Sequence, residues 1–87
     1  MAFYTYILIS EKSNRLYIGD TQHIAIRVEE HNAGKTKSTK NKGPWQMLYK
    51  KQFSSRKEAM ELERRLKNWK SRVRVLEWIE KQKVELN

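Results

Sequence analysis

Two segments near the start of the chain are rich in β-branched and aromatic residues, and a short polar stretch separates them. The segments are residues 3–9 and 15–19, and residues 11–14 between them are turn-like. This pattern predicts a β-hairpin. If the connecting loop has an even number of residues, the numbers of paired residues have an odd sum, and Tyr6 and Tyr17 then project from the same face of the sheet.

A helix is predicted after the hairpin. Ile24, Arg27, Val28 and His31 recur at the spacing of one helical face. The Asn-Ala-Gly sequence at 32–34 is typical of a helix end. Because Arg27 lies between apolar neighbours on the face that should pack on the sheet, we single it out as a candidate functional residue.

The C-terminal half predicts one strand and two helices. Residues 35–43 form a polar loop, and residues 45–53 carry large apolar side chains at alternate positions, as in a strand. Ser55 and Glu58 have the spacing of a capping box, and a break near 70–71 precedes the last helix. The side chains expected to face the core are Ala59, Leu62, Leu66 and Trp69 in the first helix and Val73, Leu76 and Ile79 in the second, with Val75 and Trp78 widening that stripe. The element order is β-β-α-β-α-α.

The 87 residues suit a single domain spanning 1–87, with a small and compact core. The chain has no cysteine, which excludes a disulfide framework, a thiol nucleophile and a zinc ribbon and fits a reducing compartment. The apolar run at 2–9 is too short to span a bilayer and lacks the features of a signal peptide. We therefore expect a cytoplasmic protein with no membrane partner.

The basic charge is large and segregated. Nineteen Lys and Arg against ten Asp and Glu give a net charge of +9, which predicts a polyanionic partner, with nucleic acid as the default and a merely solubilising surface as the alternative. No acidic residue lies between His31 and Lys57, and a second basic group follows on the later helices. The candidate phosphate contacts are Lys35, Lys37, Lys40 and Lys42 in the loop and Arg64, Lys67 and Lys70 beyond it. DNA is the expected partner, and RNA remains open.

Several side chains have the chemistry of phosphodiester hydrolysis, which needs an activated water, a cation over the developing charge and help for the leaving oxygen. The Glu63 carboxylate lies about 40° round its helix from Ala59, at the flank of the apolar stripe, where it could hold one Mg²⁺. Arg27 could bind a phosphate through its guanidinium. Tyrosine has an ordinary pKa of about 10, so Tyr17 would need nearby positive charge to act as a base. Gly19 has no Cβ, so a ligand or another backbone segment can approach closely beside Tyr17.

Each of these side chains also has an ordinary structural role open to it. The two tyrosines could be strand aromatics, and His31 could interact with the dipole at its helix end. Arg27 and Glu63 could each form an ion pair on the surface of its own helix. The available partners are Glu30 or Asp20 for Arg27 and Lys67 for Glu63.

Taken together, the motifs resemble those of a known family. Residues 4–6 (Tyr-Thr-Tyr) and 17–19 (Tyr-Ile-Gly) resemble the paired motif of the GIY-YIG nuclease superfamily, although Tyr4 stands where that motif has glycine. The match continues along nearly the whole chain at Thr21, Arg27, 31–35 (His-Asn-Ala-Gly-Lys) and 59–63 (Ala-Met-Glu-Leu-Glu). Residues 35–40, 43–45 and 66–72 resemble the small stand-alone bacterial members, of the UPF0213 type, which are also similar to the N-terminal domain of UvrC.

This resemblance implies an α/β (α+β) fold in which about three helices flank a three-stranded antiparallel sheet, with the site on one sheet face. It implies a DNA endonuclease that uses one divalent metal, Mg²⁺ or Mn²⁺. By this likeness Tyr17 activates the water, Tyr6 orients groups beside it and Arg27 stabilises the phosphate. His31 is a supporting acid, base or hydrogen-bond residue, and Glu63 ligates the metal.

Two questions stay open at the level of sequence. Asp20 follows the second motif, where neutral or basic residues are commoner in the family. It could cap the first helix together with Thr21, which we favour, or join the metal shell. The second question is whether the chain cuts nucleic acid, with nicking of branched DNA in repair or processing as one role, or is a non-catalytic binding module. We expect a monomer or weak dimer, since one site cuts one strand at a time.

Overall fold

The structure is a computed structural model, and it describes residues 2–85. Three strands form one antiparallel sheet in the order β2-β1-β3. The elements are β1 (Phe3–Ser10), β2 (Leu16–Thr21), α1 (Ile24–Asn32), β3 (Trp45–Phe53), α2 (Arg56–Asn68) and α3 (Arg72–Glu85). Both the element order and the α/β fold class expected from the sequence are confirmed.

The register of the hairpin places the two tyrosines on one face. Tyr6 pairs with Gly19 and Leu8 pairs with Tyr17, so the numbers of paired residues have an odd sum. Side chains alternate between faces along a strand, and Tyr6, Tyr17 and Gly19 therefore share one face of the sheet. Since β2 is an edge strand, this face can be approached from the side.

Helices cover both faces of the sheet. On one face, Ile7 packs against Leu62 and Leu66 of α2 and against Val75 and Ile79 of α3. On the other face, the buried residues Tyr6, Leu8 and Trp45 contact Ile24 and Val28 of α1. The face that carries the two tyrosines is thus the α1 face, and α2 and α3 lie on the opposite side.

Local signals explain where α2 begins. Ser55 precedes the helix in an extended conformation, and its side chain accepts a hydrogen bond from the Glu58 backbone N–H. The Ser55 hydroxyl also donates to the Glu58 carboxylate, at 2.9 Å. This pair satisfies a backbone donor that the first helical turn leaves free, which confirms the predicted cap.

One prediction about α3 is wrong. Val73 was expected to face the core, but its side chain is 61% exposed. The inward face of α3 is set by Val75 and Ile79, one turn apart and almost fully buried. Val73 lies about 200° round the helix from Val75, so it points to the opposite side.

The predicted cap of α1 is also wrong. Asp20 and Thr21 lie within β2, because they pair with Thr5 and Tyr4 of β1. His23 occupies the cap position and makes no side-chain capping bond. Thr21 braces the turn instead, since its hydroxyl oxygen accepts from the His23 backbone N–H at 3.1 Å. Within residues 2–85, no helix has the length and apolar character needed to cross a membrane.

Candidate active site

The centre of the site is the buried ring of Tyr6, which lies directly over Gly19. A methyl group on Gly19 would come within 2.7 Å of the Tyr6 hydroxyl oxygen, 2.9 Å of Tyr6 Cζ and 3.1 Å of Tyr17 Cε1. The two distances to Tyr6 are shorter than real Cβ contacts, so a side chain at position 19 would force the Tyr6 ring to move. Glycine is therefore favoured at position 19, because the Tyr6 ring occupies the space that a side chain would fill.

His31 joins the two tyrosines from α1. The imidazole is 1% exposed, and its Nε2 lies 2.9 Å from the Tyr6 hydroxyl oxygen. The ring centroid of Tyr17 is 4.5 Å from that of His31, so the three rings form one packed group. Burial lowers the pKa of His31 below its ordinary value, and the nearby positive charge of Arg27 lowers it further. His31 is therefore a neutral imidazole at pH 7.

Arg27 brings a positive charge to the same place. Its guanidinium lies close to the hydroxyls of both Tyr6 and Tyr17 and also pairs with Glu30, at 3.3 Å. Burial raises the pKa of Tyr6 to about 12, although Arg27 opposes this effect. Tyr6 is thus a protonated hydrogen-bonding group at neutral pH. The ion pair with Glu30 is one of the structural alternatives expected from the sequence. In this ion pair the Arg27 guanidinium still lies close to both tyrosine hydroxyls.

Glu63 lies on α2 and so belongs to the opposite side of the sheet. Its carboxylate accepts from the Lys67 ammonium at 2.6 Å, which is the ion pair expected as its structural alternative. It also lies beside the side chain of Asp20, the neighbour of Gly19 in β2. Burial raises the pKa of Glu63, and Asp20 adds to this effect while Lys67 opposes it. Four of the five predicted site residues come together on the α1 face, and Glu63 approaches the same edge strand from the other face.

A divalent ion needs oxygen ligands, and Mg²⁺ is commonly held by one or two carboxylates while it keeps several waters. In the part of the chain that the structure describes, no group of three or more His, Cys, Asp or Glu side chains could enclose a metal ion. Asp20 and Glu63 are adjacent carboxyl groups, and the neighbouring Asp20 contributes to the raised pKa of Glu63. This pair fits an Mg²⁺ site of the open, water-rich kind.

The basic loop at 35–43 is fastened to the site. Thr39 is 1% exposed, its hydroxyl oxygen lies 2.8 Å from His31 Nδ1, and its carbonyl accepts from Trp45 Nε1. The Asn32 side chain bonds both the N–H and the carbonyl of Trp45, and the Ser10 hydroxyl donates to the Lys42 carbonyl. Thr39 was not among the residues predicted for the site, because a threonine among Lys, Ser and Asn carries no signal of burial. The loop is anchored beside His31 while its lysines remain exposed.

The second basic group, Arg64, Lys67 and Lys70, borders a groove on the other side of Tyr17. This groove, of about 520 Å³, lies between β2 and the two later helices. Its floor is apolar, and Tyr17, Lys67 and Lys70 are among the residues that line it. Arg64 is exposed on α2 in the same turn as Lys67. The predicted basic residues therefore lie on both sides of Tyr17.

The neutral state of His31 predicts how stability depends on pH. Because the folded pKa is lowered, the unfolded chain takes up a proton at His31 first as the pH falls. The stability linked to His31 is complete above the ordinary histidine pKa and is lost as the pH falls below it. We expect the Tm of the wild-type protein to fall more between about pH 7.5 and about pH 5.5 than that of His31→Gln, because these values bracket the ordinary pKa. Thermal unfolding monitored by circular dichroism measures this difference.

The matched control is His23→Gln, since the chain has two histidines and His23 is exposed. This variant should keep the pH dependence of the wild type. An equal loss of Tm on acidification in the wild type and in His31→Gln would show that His31 is not the group responsible.

Comparison with known proteins identifies the family of this chain. The family described as the GIY-YIG catalytic domain matches residues 2–77. Among related proteins, "UPF0213 protein SH2523" of Staphylococcus haemolyticus is 42% identical over 78 residues, which cover 88% of this chain and 93% of the relative. "UPF0213 protein OB0043" of Oceanobacillus iheyensis is 40% identical over 65 residues, which cover 74% of each chain.

A solved structure shows the same fold. The solution NMR structure of the UPF0213 protein BH0048 from Bacillus halodurans superposes with a TM-score of 0.54 at 32% identity. The superposition covers 100% of this chain and 86% of that one. The chain therefore belongs to the GIY-YIG catalytic domain family, the nuclease superfamily whose paired motif its hairpin resembles, and its relatives include UPF0213 proteins.

Proposed function

We propose that this protein is a metal-dependent DNA endonuclease that hydrolyses one phosphodiester bond at a time. The observation that carries the proposal is the convergence of Tyr6, Tyr17, Arg27 and His31 on the α1 face of the sheet, next to the edge strand β2. A buried hydrogen-bonded histidine, two phenols and a cation form a polar site in the core of a small protein. Scaffold packing alone would not need this combination.

Each of the four side chains has a role that its surroundings support. Arg27 binds the phosphate and stabilises the charge that builds on it in the transition state. Tyr17, which is only partly buried and has Arg27 close to its hydroxyl, would act as the phenolate: it takes the proton of the attacking water as the water oxygen bonds to phosphorus, and becomes the neutral phenol. Tyr6 remains protonated and orients the group beside it, because burial raises its pKa to about 12. His31 Nε2 lies within hydrogen-bond distance of the Tyr6 hydroxyl and supports that orientation.

The metal would bind on the α2 side of the edge strand β2, where the two carboxylates lie. Glu63 would hold Mg²⁺ or Mn²⁺, and Asp20 beside it supplies a second oxygen donor. A bound divalent ion supplies Lewis-acid chemistry at a phosphate oxygen and lowers the pKa of a coordinated water. Lys67 would release Glu63 to the metal, since an exposed ion pair of this kind contributes little free energy.

The substrate is DNA held across the edge strand. The lysines of the anchored loop lie on one side of Tyr17 and the basic rim of the groove lies on the other. Phosphate contacts of this kind position a nucleic acid without reading its sequence. We therefore propose structure-selective nicking in DNA repair or processing in the bacterial cytoplasm, by a monomer or weak dimer, with RNA as a substrate to be compared.

The activity is tested directly on supercoiled plasmid. The wild-type protein with Mg²⁺ or Mn²⁺ should convert supercoiled plasmid into the open circular form, and EDTA should prevent this. Parallel reactions on labelled RNA of the same sequence measure whether ribose is accepted. Plasmid that stays supercoiled under both metals would contradict the proposal.

One observation favours a second function, a binding module without catalysis. The Glu63 carboxylate is paired with Lys67 and lies on the opposite sheet face from the tyrosines. A protein of this kind would bind DNA through the same lysines and leave the strand intact. Binding without cleavage in the plasmid assay would establish this function in place of the first.

DNA binding should depend on salt and on the loop lysines. We expect Lys37→Ala combined with Lys40→Ala to weaken binding. The slope of log K against log salt is negative, and its magnitude should fall by about 2, because each lysine that neutralises a phosphate contributes roughly 1 to it. Fluorescence anisotropy of a labelled duplex at several salt concentrations measures the slope.

The control for this experiment is Lys81→Ala. Lys81 is exposed on α3, which packs on the sheet face opposite to the tyrosines. Its removal should leave the slope almost unchanged. If the loop variant and the control behave alike, the DNA does not lie against the loop.

A further inference from the structure

Thr39 lies in a buried chain of hydrogen bonds that begins at the Tyr6 hydroxyl. The Tyr6 hydroxyl oxygen lies 2.9 Å from His31 Nε2. The Arg27 guanidinium lies close to the same hydroxyl. On the other side of the imidazole, Nδ1 lies 2.8 Å from the Thr39 hydroxyl oxygen, which lies 3.3 Å from the Thr36 carbonyl. Tyr6, His31 and Thr39 are each at most 1% exposed, so the solvent supplies no other partners.

The Thr36 carbonyl gives this chain one direction. A backbone carbonyl can only accept hydrogen bonds, so the Thr39 hydroxyl donates to Thr36. The Thr39 oxygen therefore accepts from His31, which requires the imidazole proton to be on Nδ1. In the neutral ring Nε2 is then an acceptor, and the Tyr6 hydroxyl donates to it.

We propose that Thr39 is a positioning residue, which holds the proton of His31 on Nδ1 and so keeps Nε2 as the acceptor for Tyr6. Its place is fixed by the Trp45 indole, which donates to the Thr39 carbonyl at 3.2 Å. The hydroxyl therefore faces Nδ1 with little freedom to move. This makes the neutral imidazole a base directed at the catalytic tyrosines.

The consequence for catalysis rests on the proposed nuclease function. With Nε2 as an acceptor, the Tyr6 proton points away from Arg27 and Tyr17, and the Tyr6 oxygen lone pairs point toward them. Tyr6 can then accept hydrogen bonds while Tyr17 receives the proton of the water. If the proton were on Nε2 instead, the Tyr6 oxygen would accept from His31, and its own proton would point to the side where Arg27 and Tyr17 lie.

The tautomer can be measured in the protein without metal or DNA. Two-bond ¹H–¹⁵N correlation spectra of protein labelled at histidine nitrogen distinguish a protonated ring nitrogen from an unprotonated one. The His23→Gln background leaves His31 as the source of the signal, because the chain has two histidines. We expect the pattern of a neutral ring with the proton on Nδ1 at pH 7. A proton on Nε2, or a rapidly averaged mixture of both tautomers, would overturn the proposal.

Two substitutions separate the hydroxyl of Thr39 from its packing. Thr39→Val keeps the shape and removes the acceptor, so the Nδ1–H pattern should be lost. Thr39→Ser keeps the hydroxyl and should restore it. A Thr39→Val protein that folds and keeps the wild-type pattern would show that Thr39 does not set the tautomer. If Thr39→Val does not fold, the spectra of the wild type and of Thr39→Ser decide, and both must show Nδ1–H.

Activity provides a separate measurement. Thr39→Val should lower kcat for nicking by about tenfold or more while DNA affinity stays constant, by analogy with the loss of a group that orients a metal-binding histidine. A correct tautomer without any nicking in the wild type would contradict the nuclease function and leave the role of Thr39 intact. Nicking by the wild type together with a proton on Nε2 would support the nuclease function and contradict the role of Thr39.

Discussion

Replacing Tyr17 with phenylalanine should abolish nicking while DNA binding is retained. The substitution removes the hydroxyl and keeps the ring, which packs 4.5 Å from His31 and 6.5 Å from Trp45 between centroids. Loss of a general base typically lowers the rate by about 10²- to 10⁴-fold. The rate of plasmid nicking measures the effect, and anisotropy on the same DNA verifies that affinity is unchanged.

The chain offers a matched control for this substitution. Tyr49→Phe makes the same chemical change on the opposite face of the sheet, where the Tyr49 ring packs edge-on against Trp78. This variant should nick at the wild-type rate. If Tyr17→Phe also keeps the wild-type rate, Tyr17 does not accept the proton and the proposed mechanism is wrong.

Gly19→Ala should damage stability and activity together. The added methyl group would lie 2.7 Å from the Tyr6 hydroxyl oxygen and 3.1 Å from Tyr17 Cε1. Tyr6 is 0% exposed and bonded to His31, so its ring has no free space into which it can move. Overpacking of this kind lowers the free energy of unfolding by about 1–3 kcal/mol. Urea denaturation measures the loss, and nicking should fall because the Tyr6–His31 bond is displaced.

A double-mutant cycle identifies the cause. In a Tyr6→Leu background the aromatic ring that meets the methyl group is absent, so Gly19→Ala should then have a smaller effect on the free energy of unfolding. An equal effect in both backgrounds would mean that position 19 needs glycine for a reason other than the Tyr6 ring.

The part of the site built on the hairpin could be predicted from the sequence. The parity of the register decides which side chains share a face, and a short polar turn restricts the register. With an even number of loop residues, Tyr6 and Tyr17 were expected on one face. The helical spacing of Arg27 and His31 put both on the helix face that packs on the sheet. Each of these inferences depends on short-range geometry.

Other features depend on contacts between distant parts of the chain, and these could not be predicted. Thr39 is buried because Trp45 and His31 close over it, and nothing in the residues around it indicates this. Asp20 is of a residue type that commonly caps helices, but its pairing with Thr5 keeps it in β2 and places it beside Glu63. Val73 has the right spacing for a core residue, but packing against the sheet selects a different face of α3. In each case tertiary packing overrides the local preference.

The ion pairs show that a structural role and a functional role can coexist in one residue. Arg27 pairs with Glu30 and still lies at the tyrosine hydroxyls. Glu63 pairs with Lys67 and still lies beside Asp20. Exposed or half-exposed pairs of this kind contribute at most about 1 kcal/mol, so a phosphate or a divalent ion can compete for either partner.

The metal-dependent cleavage of DNA by Glu63→Ala, compared with the wild type, tests the proposed function most directly. The substrates are labelled single-stranded, nicked, flap and junction DNAs, each incubated with Mg²⁺, with Mn²⁺ or with EDTA. Glu61→Ala is the matched control, because Glu61 is an exposed carboxylate on the same helix. We expect the wild type and Glu61→Ala to cut at least one branched DNA with metal, and Glu63→Ala to bind the same DNA without cutting it. Metal-dependent cleavage by Glu63→Ala at the wild-type rate, or no cleavage by the wild type of any of these DNAs, would contradict a nuclease site built on Tyr17 and Glu63.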